Sequence, residues 1–283
     1  MIPAAFDYVC PTTVEDAVRA LADGGEDAKV LAGGQSLLPV LRLRLAAPTL
    51  LVDLGRVPQL RGVRVEDDAV VIGAMTTTAE VAASETVRAE APLLSLTAAE
   101  VGDRQVRHRG TIGGSLAHAD PAGDLPAAAV ALDATLVVAG PSGRRSVAAT
   151  DFFTDIFTTA LGPDELLVEI RVPRLSGWTA HYEKFHRSAQ AWALVGVAAT
   201  VRRQNGSIAE ARVALTNMGP TPVRASSVEA ALAGASDLGT VKAAAAHVGE
   251  ATSPPSDISG SAEYRRHLAG VLTARAVAAA AGL

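Results

Sequence analysis

The sequence predicts an α+β fold, with two α/β parts followed by a mixed C-terminal domain of antiparallel strands and helices. Three observations predict it. Up to residue 172, short apolar strand segments alternate with helical stripes. Each of the first two parts carries a Gly-Gly loop, at 33–34 and 113–114. Past a linker at Pro173–Gly177 the pattern turns to consecutive strands and then to helices. The expected partition is 1–55, 56–173 and 178–283.

The elements follow in order. Val14, Ala17, Val18 and Leu21 form a helical stripe, with a capping box expected from Thr12 and Glu15 and a stop at Gly24-Gly25. Lys29–Ala32 reads as a buried strand running directly into the first glycine loop, and Leu50–Leu54 as a second strand. The middle part is expected to repeat that logic. It has a strand at Val70–Ala74, a capped helix start at Thr77/Glu80, and a helix opened by Pro92 with Leu93, Leu96 and Ala99 on one side. After the second loop come a helix over 125–132, a strand over 135–139, a turn at Pro141-Ser142-Gly143 and a strand over 165–172. The last part offers strands over 181–187, 193–203 and 208–215, with Asn205-Gly206 as the hairpin turn between the last two. Helices over 226–234, 239–249 and 261–281 finish it.

Composition narrows the function classes. At 49% hydrophobic and 19% charged, the chain has the means to bury substantial cores. A net charge of −5 with scattered basic residues argues against a nucleic-acid partner. The single cysteine, Cys10, excludes an internal disulfide, a thiolate zinc site and a self-contained iron–sulfur cluster, and fits a cytoplasmic location. The six histidines form no i, i+4 ligand pair, so no metal site is expected. No apolar stretch reaches membrane-spanning length, and the first residues do not read as a signal peptide.

The two loops, Ala32-Gly33-Gly34-Gln35-Ser36 and Thr111-Ile112-Gly113-Gly114-Ser115, have the chemistry of a phosphate cradle. Adjacent glycines let backbone N–H groups approach an anion, and a following helix N-terminus and serine hydroxyl add to it. Two such loops suit a diphosphate better than one. Neither is a Walker A or GxGxxG sequence, so a tight turn stands beside the phosphate reading.

The longer stretches Leu31-Ala32-Gly33-Gly34-Gln35-Ser36-Leu37-Leu38-Pro39 and Arg109-Gly110-Thr111-Ile112-Gly113-Gly114-Ser115-Leu116-Ala117-His118-Ala119-Asp120-Pro121 resemble the signature loops of a known family. It is the FAD-binding medium subunit of the carbon monoxide dehydrogenase and xanthine dehydrogenase (molybdenum hydroxylase) family. Leu51-Val52-Asp53-Leu54, Val71-Ile72-Gly73-Ala74, Asp151-Phe152-Phe153, Lys184-Phe185 and Gly260-Ser261-Ala262-Glu263-Tyr264-Arg265-Arg266 extend the likeness over the whole chain. It implies two α/β FAD-binding subdomains and a C-terminal domain with a three-stranded antiparallel sheet and a helical cluster. It implies FAD on this chain, with a molybdenum cofactor on a large partner subunit and two [2Fe–2S] clusters on a small one, in a dimer of heterotrimers. The flavin would take electrons from the small subunit and pass them to an external acceptor. A stand-alone FAD-dependent oxidoreductase of the same fold, acting on its own small molecule, is the alternative.

The resemblance also carries residues over. Ala32 to Leu37 and Thr111 to Ser115 would line the diphosphate and its neighbouring sugar groups. Asp124 falls where the family has an acid near the adenosine half, though an ordinary helix-start aspartate reads equally well. His118 falls close to the flavin or is a structural histidine. Lys184 matches a lysine near the isoalloxazine, where a cation would stabilise reduced flavin, and a plain strand-surface lysine is the alternative. Lys29 would touch the adenine side or simply be solvated. Trp192 departs from the tyrosine common at the flavin face, and His108 from an asparagine before Arg-Gly-Thr. Arg42 and Arg44, alternating with Leu41, Leu43 and Leu45, read as surface packing or as a contact for partner subunits.

Overall fold

The computed structural model describes residues 2–283 and places three main sheets along the chain. The first is small and parallel. The strand Leu50–Asp53 lies between Asp7–Val9 and Ala28–Leu31, so all three strands end on the same side. The helix Val14–Gly24 buries Val14, Ala17, Val18 and Leu21, as their spacing requires. Its cap is Thr13, whose hydroxyl accepts from Asp16 N, and not the expected Thr12/Glu15 pair. The apolar stripe begins at Val14, which leaves Thr13 as the extended residue before the first turn.

The second sheet has five strands, in the order Val63–Glu66, Ala69–Gly73, Leu166–Pro173, Thr135–Gly140 and Gly143–Ala148, all antiparallel. The expectation that this part repeats the first is therefore corrected: its sheet has a different topology. Its second glycine loop does not leave a strand. It joins the helix Arg104–Arg109 to the helix Ile112–His118. The Thr77/Glu80 capping box forms, and Pro92 opens the helix Pro92–Ala99. That helix buries Leu93, Leu94, Thr97 and Ala98, whereas Leu96 and Ala99 face out. The inward face is thus rotated from the expected one. The outer strand Gly143–Ala148 is almost wholly exposed and carries Arg144 and Arg145, so it shows no buried alternation.

The third sheet holds Trp178–Phe185, Val195–Gln204 and Ser207–Thr216 as an antiparallel meander. A two-residue strand, Val223–Arg224, adds a fourth member to the expected three. Asn205 and Gly206 both take positive φ (53° and 84°), the conformation a tight two-residue hairpin turn needs. The sheet is buried on both faces. Val195, Val197, Ala199 and Val201 point toward the helices Ser226–Leu232, Leu238–Ala245 and Ala262–Ala281. Tyr182, Ala198 and Ala214 instead join one core with Val70, Ile72, Leu93 and the helix Asp124–Ala131 of the middle part.

Candidate functional site

The two glycine loops, 80 residues apart in sequence, are in direct contact. A Cβ on Gly33 would stand 2.1 Å from the Arg109 carbonyl oxygen and 2.7 Å from Gly110 Cα. A Cβ on Gly114 would reach 3.4 Å from Ala32 Cβ. Gly34 has φ +77°, the left-handed region in which a side chain is strained. The glycines are thus required twice, once for close approach and once for backbone conformation.

The loops differ in what they leave free. Among the described residues, the N–H groups of Gly33, Gly34, Gln35, Ser36 and Leu37 donate no backbone hydrogen bond. Ser36 precedes the helix Leu37–Arg42 without capping it through its hydroxyl. Five consecutive unpaired donors at the end of a parallel strand are open to an acceptor, and a diphosphate offers several. Four amides of the second loop are already paired within the protein. Ile112 N bonds Thr76 O, Gly113 N bonds Ala74 O, Gly114 N bonds Thr111 Oγ1 and Ser115 N bonds Thr111 O. Its glycines serve packing: a Cβ on Gly113 would stand 2.5 Å from Ala74 Cβ. Ile112 and Gly113 are buried, and Gly114 and Ser115 are half-buried. The first loop presents donors, and the second braces it.

Charge in the sequence around the loops is one-sided. No acid lies between Asp27 and Asp53 or between Asp103 and Asp120. Those stretches carry Lys29, Arg42 and Arg44, and Arg104, Arg107 and Arg109. In space Asp53, the register partner of Leu31, stands beside the end of the strand that enters the first loop, so the cationic bias belongs to these stretches of sequence. Lys29 is exposed on the strand that enters the first loop, and His108 is exposed on the helix before the second.

His118 closes the second-loop helix and is half-buried against Phe157, with ring centroids 5.0 Å apart. Burial lowers its pKa below the ordinary histidine value, with Asp120, 4.0 Å away, opposing, so the ring is neutral at pH 7. Ala119 follows in a left-handed conformation (φ 50°) and turns the chain toward Asp120-Pro121.

Asp124 and Lys184, which the resemblance assigns to opposite halves of the cofactor, are paired with each other. Lys184 Nζ lies 2.8 Å from Asp124 Oδ2, and each side chain is only 4% exposed. Lys184 also donates to the Glu100 carbonyl (3.0 Å), and Tyr182 Oη donates to Asp124 Oδ1 (2.6 Å). Burial lifts the Asp124 carboxyl above the ordinary range while Lys184 and Tyr182 pull it back. Burial and Asp124 together hold the Tyr182 phenol protonated. The strand-surface alternative for Lys184 is corrected: its side chain is buried and paired with Asp124. Sequence reasoning missed Tyr182, although its position two before Lys184 on a strand places both on one face. Gly196 makes room for it, since a Cβ there would stand 2.5 Å from Tyr182 Oη.

Trp192 is 61% exposed, on the loop between the strands Trp178–Phe185 and Val195–Gln204. It is free to stack on a planar partner.

Residues 4–175 match the model of the FAD binding domain in molybdopterin dehydrogenase, and residues 180–280 match the CO dehydrogenase flavoprotein C-terminal domain. The chain belongs to this flavoprotein family. The carbon monoxide dehydrogenase medium chain of Hydrogenophaga pseudoflava is 43% identical over 284 residues, covering 99% of this chain and 98% of that one. The 6-hydroxypseudooxynicotine dehydrogenase complex subunit alpha of Paenarthrobacter nicotinovorans is 40% identical, covering 99% and 96%. A solved structure of the Hydrogenophaga pseudoflava carbon monoxide dehydrogenase superposes with a TM-score of 0.96 at 45% identity, over 99% of this chain and 98% of that one. The chain is thus an FAD-dependent oxidoreductase subunit of the medium-chain type. The donor-rich first loop and the glycines that admit no side chain both fit a flavin dinucleotide. No helix among the described residues is long and apolar enough to cross a membrane, and no cluster of three or more metal-ligating side chains occurs among them.

Proposed function

We propose that this chain is the electron outlet of a molybdenum hydroxylase. Electrons arrive from a partner subunit carrying [2Fe–2S] clusters and leave to an external acceptor. A large subunit with the molybdenum cofactor oxidises the substrate, and the three chains assemble as a dimer of heterotrimers in the cytoplasm. FAD, when bound, supplies a carrier that accepts electrons singly and releases them in pairs.

The observation that carries the reading is the contact between the two glycine loops, with five consecutive amides of the first left unpaired by the backbone. The amides of Gly33 to Leu37 hold the diphosphate, with the Ser36 hydroxyl beside them. Thr111 to Ser115 back that loop and close one side of it, with the half-buried Ser115 at its rim. Lys29 lies toward the adenine side. Asp124, Lys184 and Tyr182 fix the second α/β part, 56–173, against the C-terminal part, 178–283.

Isolation of the tagged chain from its native source tests the reading. The expected result is a yellow complex with two further chains, one containing a molybdopterin and one containing iron and sulfide. Its flavin should bleach on addition of the complex's substrate. A chain recovered alone, holding FAD and oxidising a small molecule by itself, would replace this reading with the stand-alone enzyme. A colourless chain that takes up no FAD would end both.

A further inference from the structure

We propose that Arg265 and Asn217 are positioning residues that fix the loop carrying Trp192 against the flavin. The proposal rests on the reading of Trp192 as a flavin-facing aromatic.

The loop spans 186–194. Among the described residues, its tip is tied to the rest of the protein by one side chain, Arg187, whose Nη1 donates to Ile258 O at 3.1 Å. Residues 186–190 are exposed, and one backbone bond, Ala191 N to Ser188 O at 3.2 Å, lies within it. Beneath it a cleft of about 480 Å³ opens between Phe185, His186, Arg187 and Leu194 on one side and Ser259 and Tyr264 on the other. Apart from Arg187, the tip is therefore loosely held.

The root next to Trp192 is the opposite. Ala193 and Leu194 are buried, and Leu194 N closes the loop onto Phe185 O at 2.8 Å. Both of their carbonyls are taken by side chains from distant elements. Asn217 Nδ2 donates to Ala193 O at 2.8 Å, and Arg265 Nη1 donates to Leu194 O at 2.6 Å.

Each anchor is itself tied down. Asn217 sits at φ +61°, and its N–H bonds Pro121 O at 2.8 Å, in the segment that follows the second glycine loop. Arg265 is 1% exposed. Its Nη2 meets Asp257 Oδ2 at 2.7 Å, and the other Asp257 oxygen accepts from Ser259 N and Gly260 N. A hairpin loop closes without such help. Burying a guanidinium to hold one carbonyl, with its Nε unpartnered among the described residues, is costly. What that cost secures is the direction in which the neighbouring indole leaves the loop. Asn217 links the same root to the glycine-loop side of the site, so the aromatic and the cofactor cradle share one frame.

The test uses the full chain with Trp178→Phe, which leaves Trp192 as the one tryptophan. Arg265→Met and Asn217→Gly should each lower the fluorescence anisotropy of Trp192 and speed deuterium uptake across 186–194. Arg265→Lys should fall between them and the parent. Asn217→Gly keeps the positive φ and removes only the amide. With FAD added, quenching of Trp192 by the flavin should weaken in the same order. Folded variants with unchanged anisotropy, uptake and quenching would show that the anchors position nothing. If Arg265→Met does not fold, Asn217→Gly and Arg265→Lys decide the matter. Absence of flavin quenching in the parent chain would overturn the placement of Trp192 at the flavin, an outcome separable from any effect of the anchors on the loop.

Discussion

Replacing Gly33 by alanine should abolish tight FAD binding while leaving the chain folded. The new Cβ would lie 2.1 Å from the Arg109 carbonyl oxygen. A carbon–oxygen contact settles at about 3.3 Å, so the loops must part by roughly 1.2 Å. Arg109 cannot yield by itself, because Gly110 N is bonded to Val106 O at 2.7 Å and Thr78 N to Gly110 O at 2.8 Å. The first loop must move, and with it the free amides of Gly33 to Leu37. A hydrogen bond to a charged group contributes about 1.5–3 kcal/mol, so misaligning two of the five weakens binding by about 3–6 kcal/mol, or roughly 10²- to 10⁴-fold in Kd. The strain on the protein itself should be about 1–3 kcal/mol. Titration calorimetry of FAD into the apo chain measures the first quantity and denaturant unfolding the second. Gly249→Ala is the control, since a Cβ there meets nothing within 4 Å. A Gly33→Ala chain that binds FAD as tightly as the Gly249→Ala control would refute the reasoning.

Lys184→Met should cost about 3–5 kcal/mol of unfolding free energy, because it strands the buried Asp124 carboxylate, and adding Asp124→Leu should recover much of that loss. A single variant no less stable than one altered at an exposed pair would count against the buried network. Trp192→Ala should change stability by less than about 0.5 kcal/mol, since the side chain is largely exposed. It should still alter the bound flavin's fluorescence and its rate of reoxidation, and unchanged flavin properties would place the indole elsewhere. His118 has its folded pKa depressed below 6.5 by burial, so its contribution to stability is present above pH 6.5 and is lost as pH falls through the folded value. His118→Gln should flatten that part of the stability-against-pH curve, and an unchanged slope would mean that another group titrates there.

Legibility in the sequence followed burial. The body of the helix Val14–Gly24 was readable from its periodicity, though not its cap, and the Thr77/Glu80 box and the strand pair joined at Asn205-Gly206 from their cap and turn chemistry. The exposed strand Gly143–Ala148 was not, because an edge strand without a buried face leaves no alternation to detect. In the helix Pro92–Ala99 nearly every position is apolar, so spacing could not choose the inward face. At the site the glycine loops stood out, but not their division of labour, which depends on which carbonyls lie opposite Ile112 and Gly113. Asp124 and Lys184 were both singled out, yet their pairing across 60 residues is a property of packing that no local pattern encodes.

The shared core around Tyr182 bears on how this chain can be divided. Two modules meet in the sequence near residue 178, which suggests a place to cut. A fragment ending there would keep Asp124 but lose Tyr182 and Lys184, and would lay bare the face of Asp124–Ala131 that Ala198 and Ala214 cover. The two modules therefore share one buried core and one buried ion pair. Chimaeras that exchange the C-terminal half between relatives should express only when the acid, the phenol and the amine are exchanged or retained as a set.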